Sequence, residues 1–156
     1  MAEKNEGGVR GKDEGDLANG LEALRKMVAQ VARRTFTALD PGATGALSEP
    51  VAWTVKHISE NYSQPLSLED LSRRAGLSKY HFLRKFQKEL GMTPGAFLQR
   101  YRICQAMDRL LESDETIRAV ARKVGYRDAA SFSRAFLRTV GTQPHLYRLT
   151  RRVRQG

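Results

Sequence analysis

A single cysteine, Cys104, stands among 156 residues, so no internal disulfide can staple this chain. That usage fits a reducing cytosol and predicts a cytoplasmic protein. The three histidines, His57, His81 and His145, lie far from one another and from Cys104 along the chain. They form no metal-ligand motif, and neither a metal nor a cofactor is expected. No apolar stretch approaches 18 residues, which excludes a membrane-spanning helix. The first residues have neither an apolar core nor a small-residue cleavage site, so no secretory signal is expected. The two-residue alternation of a strand is missing as well, and the fold class read from the pattern is all-α.

What the chain does have is positive charge, unevenly placed. Residues 1–50 hold 7 Lys/Arg and 8 Asp/Glu, a net of −1. Residues 51–156 hold 20 Lys/Arg and 9 Asp/Glu, a net of +11. Such asymmetry points to a polyanion as partner. Solvated basic faces that merely aid solubility are the plain alternative.

The basic part also repeats itself. Leu68, Leu71, Ala75 and Gly76 return 49 residues later as Ile117, Val120, Val124 and Gly125. Phe82, Arg84, Phe86, Gly91 and Pro94 return 50 residues later as Phe132, Arg134, Phe136, Gly141 and Pro144. Each copy reads as a short amphipathic helix, a glycine turn and a second, basic helix, which is the pattern of a helix-turn-helix. Between the copies, Pro94 to about Glu112 predicts one long helix. Its stripe of Phe97, Tyr101, Cys104, Met107 and Leu111, widened by Ile103, Ala106 and Leu110, suits a helix packed against two partners.

Residues 1–16 are rich in Gly, Glu, Asp and Lys, and composition predicts a disordered tail. Leu17, Leu21, Leu24, Val28 and Val31 follow a 4-3-4-3 spacing, predicting an amphipathic helix over 17–40. Residues 41–50, opening with Pro41-Gly42, read as a linker. The repeat-bearing domain is placed at 51–148, its first helix beginning near Ser48-Glu49-Pro50 and carrying Trp53, Val55, Ile58 and Tyr62; a last short helix is expected from Gln143-Pro144, and 149–156 reads as a basic tail. Ser67, Ser78 and Thr93 are expected N-caps.

In each copy the helix after the glycine divides into two faces. Phe82, Phe86 and Leu90, and then Phe132, Phe136 and Val140, are expected to face the core. Tyr80, His81, Arg84, Lys85 and Lys88 then project outward, as do Arg127, Ala130, Ser131, Arg134 and Arg138. A major groove admits one α-helix, whose outward residues reach base edges, and the fork of arginine matches guanine O6 and N7 together. Arg84 and Arg134 hold the same place in the two copies and are expected base readers. Lys79, His81, Lys85, Lys88, Arg127 and Arg138 are expected on phosphates, which position a protein without reading sequence. The first copy carries the richer donors. The second offers Ala129, Ala130 and Ser131 at the matching place.

The stretch from Val51 to Arg148 resembles the DNA-binding domain of the AraC/XylS family of bacterial transcription regulators. The resemblance rests on Ala121-Arg122-Lys123-Val124-Gly125-Tyr126, Phe132-Ser133-Arg134-Ala135-Phe136 and Gly141-Thr142-Gln143-Pro144 through Tyr147-Arg148. It implies two helix-turn-helix subdomains joined by a long helix, with base contacts at Tyr80, Leu83, Arg84, Ala129, Ala130, Ser131 and Arg134. Only 50 residues precede the domain, too few for the ligand-binding barrel of many members, so the chain is closer to the short MarA/SoxS type. The implied function is a double-stranded DNA-binding regulator, an activator by resemblance, acting at the bacterial nucleoid.

Three other readings stay open on the residues alone. The 17–39 seam can dock on its own domain, dimerise, or bind a partner such as RNA polymerase. The basic face can bind an acidic protein or RNA polymerase in place of specific DNA. Alkyl-repair proteins of the Ada type carry a similar domain with a reactive cysteine. Cys104, however, lies in the apolar stripe of the long helix, which reads as structural and not catalytic.

Overall fold

The computed structural model describes residues 47–154, with side chains through Leu149. The expected tail over 1–16, the amphipathic helix over 17–40 and linker residues 41–46 lie outside the described residues. Seven helices follow: α1 Glu49–Asn61, α2 Leu68–Arg74, α3 Lys79–Leu90, α4 Pro94–Glu112, α5 Ile117–Lys123, α6 Ala129–Val140 and α7 Pro144–Arg154. The fold is all-helical, with two helix-turn-helix units, α2–α3 and α5–α6, joined by α4.

The helix start expected near Ser48-Glu49-Pro50 is observed, and the domain bounds drawn at 51 and 148 both widen. Helix α1 begins inside the expected linker, because proline fits a first helical turn and the Glu89 carboxylate of α3 accepts the Ser48 N–H at 2.8 Å. Leu47 before it is buried in the core, so the folded part starts ahead of residue 51. At the other end, α7 continues through Arg154, so residues 149–154 extend a helix where a tail was expected. Buried Tyr147 seats α7, and Arg148 donates a hydrogen bond to the Glu115 carbonyl just before α5.

The repeat written in the sequence recurs in the backbone. Ser67, Ser78, Thr93 and Thr116 each accept a backbone N–H three residues on, as N-caps do. Helix α2 ends with Leu77 N–H on the Ser72 carbonyl and Gly76 N–H on that of Arg73. Helix α5 ends with Tyr126 N–H on Ala121 and Gly125 N–H on Arg122, the same pair 49 residues later. These are paired Schellman bonds, and each needs its glycine in the left-handed region, at φ 70° for Gly76 and 99° for Gly125.

Side chains repeat too. Phe82 meets Phe86, and Phe86 meets Phe97 edge-on at 5.9 Å. Fifty residues on, Phe132 meets Phe136, and Phe136 meets Tyr147 edge-on at 5.5 Å. Each chain of rings anchors its own core. Val51, Val55, Ile58, Leu71, Phe82, Phe86 and Phe97 form the first. Ile103, Met107, Leu110, Val120, Val124, Phe132, Phe136 and Tyr147 form the second. The expected two-partner packing of α4 holds, and its partition runs along the length: Phe97 near its start serves one core, Ile103 to Leu110 the other.

Where the cores meet, Arg102 in the middle of α4 spans both halves. Its Nε–H donates to the Tyr62 carbonyl at 2.6 Å and Nη2 to that of Gln64 at 2.9 Å, at the end of α1. The same guanidinium lies over the Tyr126 ring, 5.8 Å from its centroid. Burial pushes the Arg102 pKa down from its ordinary value, while Tyr126 pushes it back up. Arginine remains charged throughout. A Cβ placed on Gly125 would come within 2.8 Å of that guanidinium, whereas one on Gly76 meets nothing within 4 Å.

That contrast makes a prediction between equivalent sites. Gly76→Ala is expected to cost about 1–2 kcal/mol through its left-handed backbone alone. Gly125→Ala carries the same strain plus displacement of Arg102, and urea denaturation should find it the more destabilising. Equal losses would mean that the guanidinium gives way freely.

A second prediction concerns the start of α6. Asp128 accepts the Ser131 N–H at 2.7 Å and its hydroxyl at 2.9 Å. Those two bonds hold the carboxyl below its ordinary value of 3.8. A depressed folded-state pKa contributes stability above the unfolded value and loses it as pH falls through the folded one. The stability gap between wild type and Asp128→Ala should therefore be full at neutral pH and close in acid, as followed by denaturation down to about pH 2. A gap that persisted in acid would assign the effect to packing.

Candidate nucleic-acid interface

The exposed faces of α3 and α6 follow from burying phenylalanines four residues apart. Once Phe82 and Phe86 point inward, Lys79, Tyr80, His81, Arg84 and Lys88 are left exposed, with Leu83 and Lys85 half-buried at the margins. Once Phe132 and Phe136 point inward, Ala130, Arg134 and Arg138 are exposed and Ala129 and Ser131 half-buried. Arg127, in the turn before α6, is exposed as well. Tyr80 is 63% exposed, a large ring left in solvent at the start of α3. All thirteen sequence-predicted residues thus lie on, or at the margin of, the outward faces of the second helices and their turns.

Arg84 and Arg134 are each held by a hydroxyl one turn back. Arg84 Nη1 donates to the Tyr80 hydroxyl at 3.1 Å, and its guanidinium lies 5.5 Å from the centre of that ring. Arg134 Nη2 donates to the Ser131 hydroxyl at 3.3 Å. That hydroxyl donates in turn to Asp128, so Asp128, Ser131 and Arg134 form a relay across the first turn of α6. His81 stands 3.1 Å from the Ser78 hydroxyl, which also accepts the His81 N–H. The two units orient equivalent arginines with different chemistry, an aromatic hydroxyl in one and a serine–aspartate pair in the other.

Two sequence-predicted residues differ from simple outward charges. Lys85 sits 3.4 Å from Glu89, the carboxylate that also receives the Ser48 N–H, so its charge is partly engaged within the fold. At the position equivalent to Lys85, the second unit has Ala135, 2% exposed in the core. Ser131 has its hydroxyl engaged on both sides.

Between the units lies a cleft of about 720 Å³. Ser63, Ser67 and Leu98 line one side; Arg122, Tyr126 and Arg127 line the other, with Arg102 also on the wall. The sequence pattern placed neither Arg122 nor the Ser63–Ser67 loop at a shared site. Nothing in helical periodicity signals that residues some 60 positions apart face a common space; the only clue was that Arg122 belongs to the quoted signature of the second unit.

Cys104 is buried at 8% exposure, set within α4 away from the exposed faces of α3 and α6. Among the described residues, no helix is long and apolar enough to cross a membrane.

Known proteins share this arrangement. Residues 71–150, more than half of the chain, match a family described as a helix-turn-helix domain. The chain is 36% identical over 93 residues to the multiple antibiotic resistance protein MarA of Salmonella typhimurium, covering 60% of this chain and 73% of MarA. It is 34% identical over 104 residues to the HTH-type transcriptional activator AarP of Providencia stuartii, covering 67% of this chain and 74% of AarP. The DNA-binding domain of the global transcriptional factor AdpA, crystallised in complex with a target DNA, superposes with a TM-score of 0.65. That domain is 32% identical, over 69% of this chain and 96% of its own. The C-terminal domain of AraT, a response regulator from Geobacillus stearothermophilus, also gives 0.65, at 31% identity over 67% of this chain and 87% of its own. With its two helix-turn-helix units, its joining helix and these relatives, the chain belongs to the AraC/XylS family of transcription regulators, DNA-binding proteins and not enzymes.

Proposed function

We propose that this protein is a sequence-specific regulator that places α3 and α6 in successive major grooves on one face of a DNA duplex. The observation that carries the reading is the pair Arg84 and Arg134. They are equivalent across the repeat, exposed, and each pre-oriented by a hydroxyl one turn earlier. A guanidinium already held in place loses less freedom on reaching a guanine edge. Helix α4, 19 residues long, spans roughly 28 Å at ~1.5 Å per residue. One duplex turn is roughly 34 Å, so one copy can cover an asymmetric site without a twofold partner.

The units read unequally. Tyr80, Leu83 and Arg84 give α3 a ring, an apolar edge and a fork. Ala129, Ala130 and Ser131 give α6 close approach and an apolar contact suited to a thymine methyl, leaving Arg134 as its main hydrogen-bonding reader. Lys79, His81, Lys88, Arg127 and Arg138, with Lys85 in a lesser share, contact phosphates. AarP is named an activator, and activation at the nucleoid, with RNA polymerase as a further partner, is the regulatory sense that this kinship supports.

The test begins with a duplex recovered by selection from a random pool. Fluorescence anisotropy should find that Arg84→Ala and Arg134→Ala each cost about 1–3 kcal/mol and relax preference at one position. If either substitution weakened random and selected DNA equally, that arginine would not be a base reader. Lys88→Ala should weaken all sequences alike and reduce the slope of affinity against salt by about one phosphate contact. A protein that lost every sequence preference as salt rose would instead be a charge-driven binder of acidic surfaces.

A further inference from the structure

We infer that Arg102 sets the angle between the two helix-turn-helix units and so determines which spacing between the two halves of a DNA site the protein accepts. The inference rests on the reading of α3 and α6 as paired groove readers. It adds a residue that lies away from both reading faces.

Little else holds the units in register. Their hydrophobic cores are separate clusters, each closed around its own chain of rings. Helix α4 joins them, but a helix fixes separation along its axis better than rotation of what is packed on either end. On one side the units face each other across the open cleft of about 720 Å³, where side-chain packing imposes no angle. Arg102 lies on the wall of that cleft, hydrogen-bonded to one side and set over a ring of the other. Two of its nitrogens hold the Tyr62 and Gln64 carbonyls, at the negative end of the α1 dipole. Its guanidinium lies over the Tyr126 ring, and Gly125 beside it lacks the Cβ that would push it away. Tyr62 also packs against Tyr101 and the second core, closing the junction around the arginine. One planar, charged group therefore ties the end of α1 to the turn that aims α6.

The geometry of this contact requires arginine. Lysine keeps the charge but reaches carbonyls as a point, and it cannot lie flat on a ring while forking to two acceptors. Methionine keeps much of the length and volume and removes both bonds. Adding one base pair between half-sites rotates the second by roughly 35° and moves it ~3.4 Å, so the angle held by Arg102 decides whether α6 still meets its groove.

Two measurements test this. In the first, the selected duplex is altered by one base pair, inserted or deleted between its halves. The wild type should lose about tenfold or more in affinity; Arg102→Met should lose less than about threefold, with Arg102→Lys between. In the second, spin labels at Gln87→Cys and Leu137→Cys, equivalent exposed positions on α3 and α6, report the distance between the units without DNA. The distribution should be narrow with Arg102 and broader with methionine or lysine. If Arg102→Met does not fold, Arg102→Lys carries both measurements. An unchanged distance distribution, or a spacing penalty as steep as the wild type's, would overturn the inference. Should the wild type prefer no sequence at all, the groove-reading proposal fails, while the label distances still decide whether Arg102 holds the angle.

Discussion

Two small hydrophobic cores share one helix, and the rest of the molecule depends on how that sharing is done. Neither unit buries more than a modest set of side chains, so each draws on α4 for part of its interior, through Phe97 at one end and Ile103 to Leu110 at the other. A helix used this way becomes both a wall of each core and the ruler between them. What it leaves open is rotation. Arg102 answers that with hydrogen bonds to the end of α1 and a ring contact with Tyr126.

The duplicated scaffold separates stability from chemistry. Caps, Schellman turns and edge-on rings recur across the two units because each solves the same problem of ending a helix and filling a core. The outward faces have no such constraint, and they diverge. Tyr80 and His81 stand where Ala130 and Ser131 stand fifty residues later. Even the equivalent arginines are held by different neighbours. Divergence at matched positions on a common frame allows the two halves of one site to be unlike, as an asymmetric recognition sequence requires.

Much of this was legible in the chain. The phenylalanine pairs, spaced by four, declared which faces of α3 and α6 turn inward, and the remaining positions became the outward faces by elimination. Gly76, Gly125 and Pro94 marked turns and starts because left-handed backbone and fixed φ leave few alternatives to glycine and proline. Pro50 likewise marked the start of α1, but Leu47 ahead of it counts as core only in the folded chain, where it joins the cluster of Val51, Phe82 and Phe86. The end of α7 was misread for a related reason: a run of arginines looks like a tail until Tyr147 seats the helix that carries it.

Local pattern determined the helices, their order, the two cores and the positions that bear positive charge, because each of these rests on neighbours three, four or a fixed repeat apart. Tertiary structure decided the relations between distant residues. Glu89 receives the Ser48 N–H, Arg148 reaches the Glu115 carbonyl, and Arg102 joins α1 to the turn before α6. Arg102 reads in the sequence as one more basic residue on a helix. Its role exists only where the Tyr62 and Gln64 carbonyls, the Tyr126 ring and the bare Cα of Gly125 are brought within reach of one guanidinium, and no spacing along a chain records that.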